Sequence, residues 1–161
     1  MTGALVVLAL VTAQRLGELA LARRNTRRLI ARGGREVGAA HYPLMLALHT
    51  TWLIGLWLLG HGRAIVLFWL GVYLVLQSLR VWVLTTLGDR WTTRIIVLPG
   101  APLVREGPYR LLSHPNYAVV TGEIVVLPLV FALPTYAAVF FVLNALVLWV
   151  RIRAENKGLR G

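Results

Sequence analysis

The sequence predicts an all-α integral membrane protein with about five transmembrane helices and no Rossmann domain. Hydrophobic residues make up 58% of its 161 residues and charged residues only 14%, which is far more apolar than a soluble domain. Three apolar segments, at 3–22, 42–60 and 64–87, each supply the roughly 20 residues that a helix needs to cross a bilayer. The sequence has neither a Gly-x-Gly-x-x-Gly turn nor the alternating strand and helix patterns of a Rossmann sheet.

These three segments make up the N-terminal half, 1–87, of what we interpret as a single membrane domain over 1–161. The first segment lies at the N-terminus, as a signal peptide would, but its basic residues follow the apolar stretch instead of preceding it. We therefore expect it to remain in the protein as a transmembrane helix.

The C-terminal half, 88–161, combines a polar loop, a helical hairpin and a basic tail. The apolar region 118–150 is too long for one span and is interrupted by Pro128 and by a turn at 133–136, which predicts two short helices. In the preceding loop, 95–104 places two apolar runs around a Pro-Gly turn, which indicates a small hairpin or an extended loop on the membrane surface. The next helix should begin near His114, because a proline such as Pro115 suits a first helical turn.

Basic residues predict the orientation in the membrane. The first loop, the third loop and the tail carry many of the 17 Lys and Arg residues, whereas the second and fourth loops together hold only Arg63. The positive-inside rule then places the N-terminus outside and the first loop, the third loop and the C-terminus in the cytoplasm. Anionic lipid head groups account for the net charge of +11, so membrane lipids are expected partners and nucleic acid is not.

Six polar residues fall inside the predicted spans, where they are costly and therefore candidates for function. In one interpretation, Arg15 pairs with Glu18 while Arg80 extends to the lipid head groups. In the other, all six line one water-accessible cavity that opens to the cytoplasm, and their similar depth favours this second interpretation. The six residues are Arg15, Glu18, His49, Gln77, Arg80 and Glu123.

Two polar segments carry the remaining chemistry, 107–117 (GPYRLLSHPNY) and 151–158 (RIRAENKG). Arg151 and Glu155 are four residues apart, so they lie on the same face of a helix and could form a simple ion pair. The absence of cysteine excludes a disulfide framework, a thiol nucleophile and a thiolate metal site, and we assign no metal ligand.

The order of these motifs resembles the isoprenylcysteine carboxyl methyltransferase family, which consists of membrane enzymes that use S-adenosylmethionine. The resemblance covers 88–158, where a helical hairpin separates the two motifs. Its residues are Leu103, Val104, Gly107, Tyr109, His114, Pro115, Asn116, Tyr117, Arg151 and Glu155.

The sequence departs from the family pattern at three places. Ser113 stands where the family usually has Arg, Asn156 stands where it usually has a second Glu, and Ala118 and Val119 follow the Tyr where a Gly is common. The N-terminal half differs from the eukaryotic prenylcysteine enzymes. Its stretches at 15–19, at 41–43 (HYP) and at 87–100 (LGDRWTTRIIVLPG) are more similar to a small bacterial branch of the family, found beside type III polyketide synthases and linked to O-methylation of alkylpyrones or alkylresorcinols.

The resemblance implies roles for particular residues. It assigns Arg151 and Glu155 to catalysis, with Arg151 holding an anionic acceptor and Glu155 also binding the cofactor. For a less acidic acceptor the candidate bases are His114, His49 and Glu123, and His49, Glu123 and Arg151 are the expected acceptor-binding residues. The expected cofactor-binding residues are Leu103, Val104, Tyr109, His114, Pro115, Asn116, Tyr117 and Glu155.

The predicted activity is S-adenosylmethionine-dependent O-methylation of a lipophilic acceptor at the cytoplasmic face of a bacterial cytoplasmic membrane. The acceptor is either the carboxylate of a prenylcysteine-like compound or the enol or phenol of an alkylpyrone or alkylresorcinol. The alternatives are a phospholipid N-methyltransferase and a non-catalytic multipass scaffold. Arg151 and the loss of an acid at Asn156 favour an anionic acceptor over an amine.

Overall fold

A computed structural model describes the backbone of residues 2–160 and the side chains of residues 3–153. This part of the chain forms five α-helices and one small two-stranded sheet, which confirms the prediction of a mainly helical protein without a Rossmann domain. In chain order the elements are α1 (Thr2–Ala31), β1 (Arg35–Val37), α2 (Tyr42–Gly60), α3 (Leu67–Leu87), β2 (Ile95–Val97), α4 (Pro115–Val130) and α5 (Pro134–Arg160).

Four helical segments within residues 2–160 are long and apolar enough to cross a bilayer: Gly3–Ala31, Ala39–Gly60, Leu67–Arg90 and Pro134–Arg153. The remaining helix, α4, has 16 residues and is the shortest of the five, so it extends only about 24 Å. It is also well buried, packing against both α3 and α5. The outer faces of α2 and α3 carry large exposed apolar side chains, among them Leu58 and Phe68, which suit contact with lipid.

The predicted helical hairpin is present, and its two helices begin at prolines. Pro115 opens α4, as expected, and Pro134 opens α5 after a tight turn in which Ala132 has a φ of 53°. Pro128 lies inside the last turn of α4 and does not end it. A proline there leaves the carbonyl four residues earlier without its helical donor, and the indole of Trp52 on α2 donates to that Ile124 carbonyl over 3.3 Å.

The small sheet connects the first and third loops, and it shows that a hairpin within 95–104 was the wrong expectation. β2 pairs antiparallel with β1, with Glu36 opposite Ile96. Pro99 and Pro102 follow β2 and lack the N–H groups that a returning strand would need. Residues 101–105 therefore run without strand structure, which agrees with the extended-loop alternative.

The first helix continues well beyond the apolar segment that predicted it. α1 ends at Ala31, and its last two turns carry basic residues. The buried amide of Asn25 holds this extension in place, because its Nδ2 donates to the carbonyls of Gly88 and Trp91, over 3.1 and 2.9 Å. The end of α1 is thus fixed to the loop that follows α3.

Candidate active site

Two cavities meet between the helices and the third loop. The first, which we call the bundle cavity, has a volume of about 350 Å³ and is lined by residues of all five helices. The second, the loop cavity, has a volume of about 480 Å³ and lies largely among residues 90–117. The residues that line both cavities are Trp91, Thr92, Asn116, Tyr117 and Arg151.

The loop cavity gathers most of the residues expected to bind a cofactor. The structure brings Leu103 and Val104 to one cavity with Tyr109 and with the start of α4. Pro115 is buried as the first residue of α4. The expected residues that line the loop cavity are Leu103, Val104, Tyr109, His114, Asn116 and Tyr117.

Aromatic rings form one side of the place where the cavities meet. The rings of His114 and Tyr117 stack with their centroids 5.2 Å apart and their planes 13° apart. Arg151 is only 4% exposed, and its Nε donates to the Tyr117 hydroxyl over 2.9 Å. Arg151 also directs Nη1 at the sulfur of Met45 on α2, 2.6 Å away. One guanidinium therefore joins α2, α4 and α5.

Glu155 lies outside the residues whose side chains the structure describes. It falls within α5, four residues after Arg151. Its expected contact with a cofactor remains a prediction.

Four ionised side chains form a network at the wall of the bundle cavity. Glu123 accepts hydrogen bonds from Arg80 Nε (2.6 Å) and Arg80 Nη2, and Arg15 Nη2 lies 3.0 Å from Glu123 Oε1. Glu18 accepts from Arg15 over 2.9 Å and lies 3.4 Å from Arg80. The two arginines and two glutamates have a formal charge sum of zero, which makes their burial tolerable.

This network decides between the two interpretations of the polar residues in the spans. Arg15 does pair with Glu18, but Arg80 is 2% exposed and bonds inward, so its extension to the head groups was the wrong expectation. Gln77 joins the network by donating to Glu123 over 2.8 Å. Five of the six residues line the bundle cavity, while Gln77 does not, and the opening of this cavity to the cytoplasm remains a prediction. The five are Arg15, Glu18, His49, Arg80 and Glu123.

Several contributors to the site escaped the sequence reasoning. Gln14 bridges Glu18 and Gln77, at 2.8 and 2.7 Å, and its position one residue before Arg15 was the available signal. Trp91 and Asn144 are buried residues of the cavity walls, and a single Trp or Asn carries no pattern that would mark it.

The ribbon formed by β1 and β2 holds the third loop against the start of α2. Arg94 Nη1 lies 2.8 Å from both carboxylate oxygens of Glu36, and its guanidinium lies 4.3 Å from the centroid of the Tyr42 ring. Tyr42 also contacts Thr93 through their hydroxyls at 3.4 Å. Tyr42 and Thr93 both line the bundle cavity, so the ribbon shapes its wall.

The bundle cavity reaches the outer surface between α1 and α2. Three of its lining residues, Leu16, Leu46 and Ile54, are 63%, 45% and 54% exposed. Both helices are candidate membrane spans, so this gap, which we call the lateral opening, faces the position of the bilayer. An apolar molecule could pass through it without crossing water.

The walls of both cavities are mostly apolar, those of the loop cavity less so than those of the bundle cavity, and the two cavities share walls at Asn116, Tyr117 and Arg151. Two molecules held in the two cavities would meet at these residues, and a buried guanidinium there can hold an anion. Among the side chains of 3–153, no three His, Asp or Glu residues lie close enough together to hold a metal ion.

Comparison with known proteins places this arrangement in context. A family model described as "Isoprenylcysteine carboxyl methyltransferase (ICMT) family" matches residues 69–161, which include both polar motifs. The chain is also similar to an uncharacterised protein of Bacillus subtilis strain 168, YpbQ, at 38% identity over 160 residues, covering 96% of this chain and 95% of the relative. No solved structure matches the chain.

Proposed function

Because the chain belongs to the isoprenylcysteine carboxyl methyltransferase family of membrane methyltransferases, we propose that it transfers a methyl group from S-adenosylmethionine to an oxygen atom of a lipophilic acceptor. The observation that carries the proposal is that the loop cavity and the bundle cavity share Asn116, Tyr117 and Arg151. Methyl transfer needs a donor and an acceptor in line, and holding them so supplies much of the catalysis.

The chemistry of the loop cavity suits S-adenosylmethionine, which supplies an electrophilic methyl group on a sulfonium. The stacked rings of His114 and Tyr117 offer aromatic faces to that cation. Arg90 and Arg94 line the same cavity and could face the cofactor's carboxylate. The segment at Leu103 and Val104 offers backbone groups outside any helix or strand. Glu155, by its place in the motif, would accept from the cofactor.

The bundle cavity suits the acceptor. Its lateral opening would admit an alkyl or prenyl chain from the bilayer, and Arg151 would hold the acceptor's oxygen where the cavities meet. The hydrogen bond to Tyr117 and the contact with Met45 fix this guanidinium from two sides. A fixed donor fork can position an oxyanion without reorganising during the reaction.

The charges favour an oxygen acceptor over an amine. Within the described side chains, Arg151 is buried and has no carboxylate within ion-pair distance. An anionic oxygen would compensate this cation, whereas an amine, which becomes positive on methylation, would add to the charge. We therefore favour O-methylation over phospholipid N-methylation.

The basic residues around the loop cavity support a cytoplasmic location for the reaction. Arg90, Arg94 and Arg105 line it, and the positive-inside rule predicts that such a loop faces the cytoplasm. We propose that the cofactor binds from the cytoplasm, in the cytoplasmic membrane, with the N-terminus on the opposite side.

Calorimetric titration of the detergent-purified protein with S-adenosylhomocysteine tests the proposal. We expect saturable binding that weakens in His114→Ala and Glu155→Ala and is unchanged in His61→Ala, because His61 is exposed and lines neither cavity. Wild-type protein that is folded but does not bind the product would overturn the proposal in favour of a non-catalytic scaffold.

A further inference from the structure

Two residues that line the bundle cavity carry buried polar atoms that have no hydrogen-bond partner in the described part of the chain. Arg15 Nε and Asn144 Oδ1 are buried without a partner, although both residues line the cavity. One is a donor and the other an acceptor.

His49, which is only half-buried, also lines the bundle cavity, and its hydrogen bonding defines which of its two ring nitrogens carries the hydrogen. Nδ1 lies 2.8 Å from the carbonyl oxygen of Met45, one turn earlier on α2. A carbonyl oxygen can only accept, so Nδ1 carries the hydrogen and the neutral ring keeps its lone pair on Nε2. No hydrogen bond to Nε2 is formed by the described side chains, and His49 lines the bundle cavity.

The structure distinguishes the three candidate bases. Both carboxylate oxygens of Glu123 already have partners, since Arg80 and Gln77 donate hydrogen bonds to them and Arg15 forms an ion pair with them. His114 stacks on Tyr117 and lines the loop cavity but not the bundle cavity. Of the three, His49 alone lies on the acceptor's side with an uncommitted lone pair.

Met45 also connects His49 to the anion-holding arginine. Its carbonyl fixes the imidazole of His49, while its sulfur contacts Nη1 of Arg151. The charged groups that act on the imidazole are Arg15, Arg80 and Arg151, all cations. An anion formed on an acceptor oxygen between His49 and Arg151 would be stabilised by the Arg151 guanidinium, whose charge is balanced by no carboxylate among the described side chains.

We propose that His49 is the general base of the reaction and that the acceptor oxygen belongs to an enol or phenol hydroxyl, not to a carboxylate. This inference rests on the proposed function. The acceptor's O–H bond breaks and its proton moves to Nε2, the oxygen's electron pair forms the bond to the methyl carbon, and the carbon–sulfur bond of the sulfonium donor breaks. The proton on His49 then passes to solvent. A carboxylate would arrive already ionised and would leave His49 without a role.

A pair of acceptors with equal alkyl chains tests this assignment. One is an alkylresorcinol, whose hydroxyl is protonated at the assay pH, and the other is an alkyl nitrophenol that is already ionised. We expect His49→Gln to lower kcat on the resorcinol by on the order of 100-fold and to change turnover of the nitrophenol by only a few-fold. Binding of S-adenosylhomocysteine, measured by calorimetry, should be unchanged, because His49 does not line the loop cavity.

His61→Gln is the matched control. His61, the residue that follows α2, makes the same kind of bond to the carbonyl four residues earlier, from Nδ1 to Trp57 at 2.9 Å, but it is exposed and lines neither cavity. This variant should behave as wild type with both acceptors and with S-adenosylhomocysteine.

The results that would contradict the role of His49, the acceptor class and the proposed function can be told apart. An equal loss on both acceptors would give His49 a structural role, and no loss on the resorcinol would remove it as the base. Wild-type turnover of long-chain carboxylates but of neither phenol would overturn the acceptor class while keeping the proposed function. Wild-type protein that neither binds S-adenosylhomocysteine nor methylates any acceptor would remove the proposed function and this inference with it.

Discussion

Arg151 donates from Nε to the hydroxyl of Tyr117 over 2.9 Å, which joins α5 to the first turn of α4. Both residues line the loop cavity and the bundle cavity. The two halves of the helical hairpin are thus joined at the point where we place methyl transfer, and disturbing this bond should affect catalysis more than folding.

Arg151→Lys should lower kcat/KM by roughly 10- to 100-fold, because lysine keeps the charge but loses the fork that contacts Tyr117 and the acceptor together. Steady-state methyl transfer measures the loss. Arg153→Lys is the control, since the Arg153 guanidinium lies over the ring of Trp149, which is exposed, and it should retain activity. Equal activity of Arg151→Lys and wild type would contradict the role in holding the acceptor.

Glu123→Gln should destabilise the protein by about 3–5 kcal/mol, because it leaves Arg80 and Arg15 buried without their carboxylate. Denaturation of the detergent-solubilised protein can measure this loss. Asp89→Asn makes the same acid-to-amide change in a half-exposed pair with Arg28 and should cost no more than about 1 kcal/mol. Similar losses in the two variants would argue against a tightly packed network.

Trp52→Phe should lower the free energy of unfolding by about 1–3 kcal/mol, because it removes the hydrogen-bond donor to the Ile124 carbonyl, which has no helical donor owing to Pro128. A double-mutant cycle tests the cause. In a Pro128→Ala background the backbone N–H of residue 128 can reach that carbonyl, so the cost of Trp52→Phe should fall. An unchanged cost would mean that the indole stabilises the bundle by packing alone.

Ile54→Trp should raise the KM of a long-chain acceptor and leave that of a short-chain acceptor nearly unchanged, because Ile54 lines the lateral opening. Leu58→Trp places the same bulk one turn further along α2, at an exposed position outside both cavities. Kinetics with acceptors of graded chain length would separate the two variants. The opening would be excluded as the route if the variants behaved alike.

The membrane-spanning helices and the polar loop were predictable because their signals are local. Length and apolar composition define α2 and α3, and Pro115 marks the start of α4. The pairing of β1 with β2 was not predictable, since three-residue strands carry no useful periodicity and their partners lie about 60 residues apart. The inward direction of Arg80 depends on which face of α3 meets α4, and no single segment of sequence encodes that choice.

The residues of the candidate site also fall into those that the sequence predicts and those that only the structure identifies. Tyr109, His114 and Tyr117 form a motif that sequence reasoning can find, whereas Asn144 and Trp91 contribute through packing of distant elements. His49 was recognisable as a polar residue in a span, but its free Nε2 depends on the local bond to the Met45 carbonyl. Choosing His49 over Glu123 as the candidate base required knowing that Arg15 and Arg80 form ion pairs with the Glu123 carboxylate.

The lateral opening between α1 and α2 determines which acceptor concentration would set the turnover rate. For a substrate that arrives by diffusion within the bilayer, the relevant concentration is its mole fraction among the lipid molecules, not its amount per litre of solution. Adding inert phospholipid to a fixed amount of acceptor should therefore slow turnover, while diluting the vesicles with buffer should not change turnover per enzyme molecule. The rate would follow the composition of the membrane in which the protein resides.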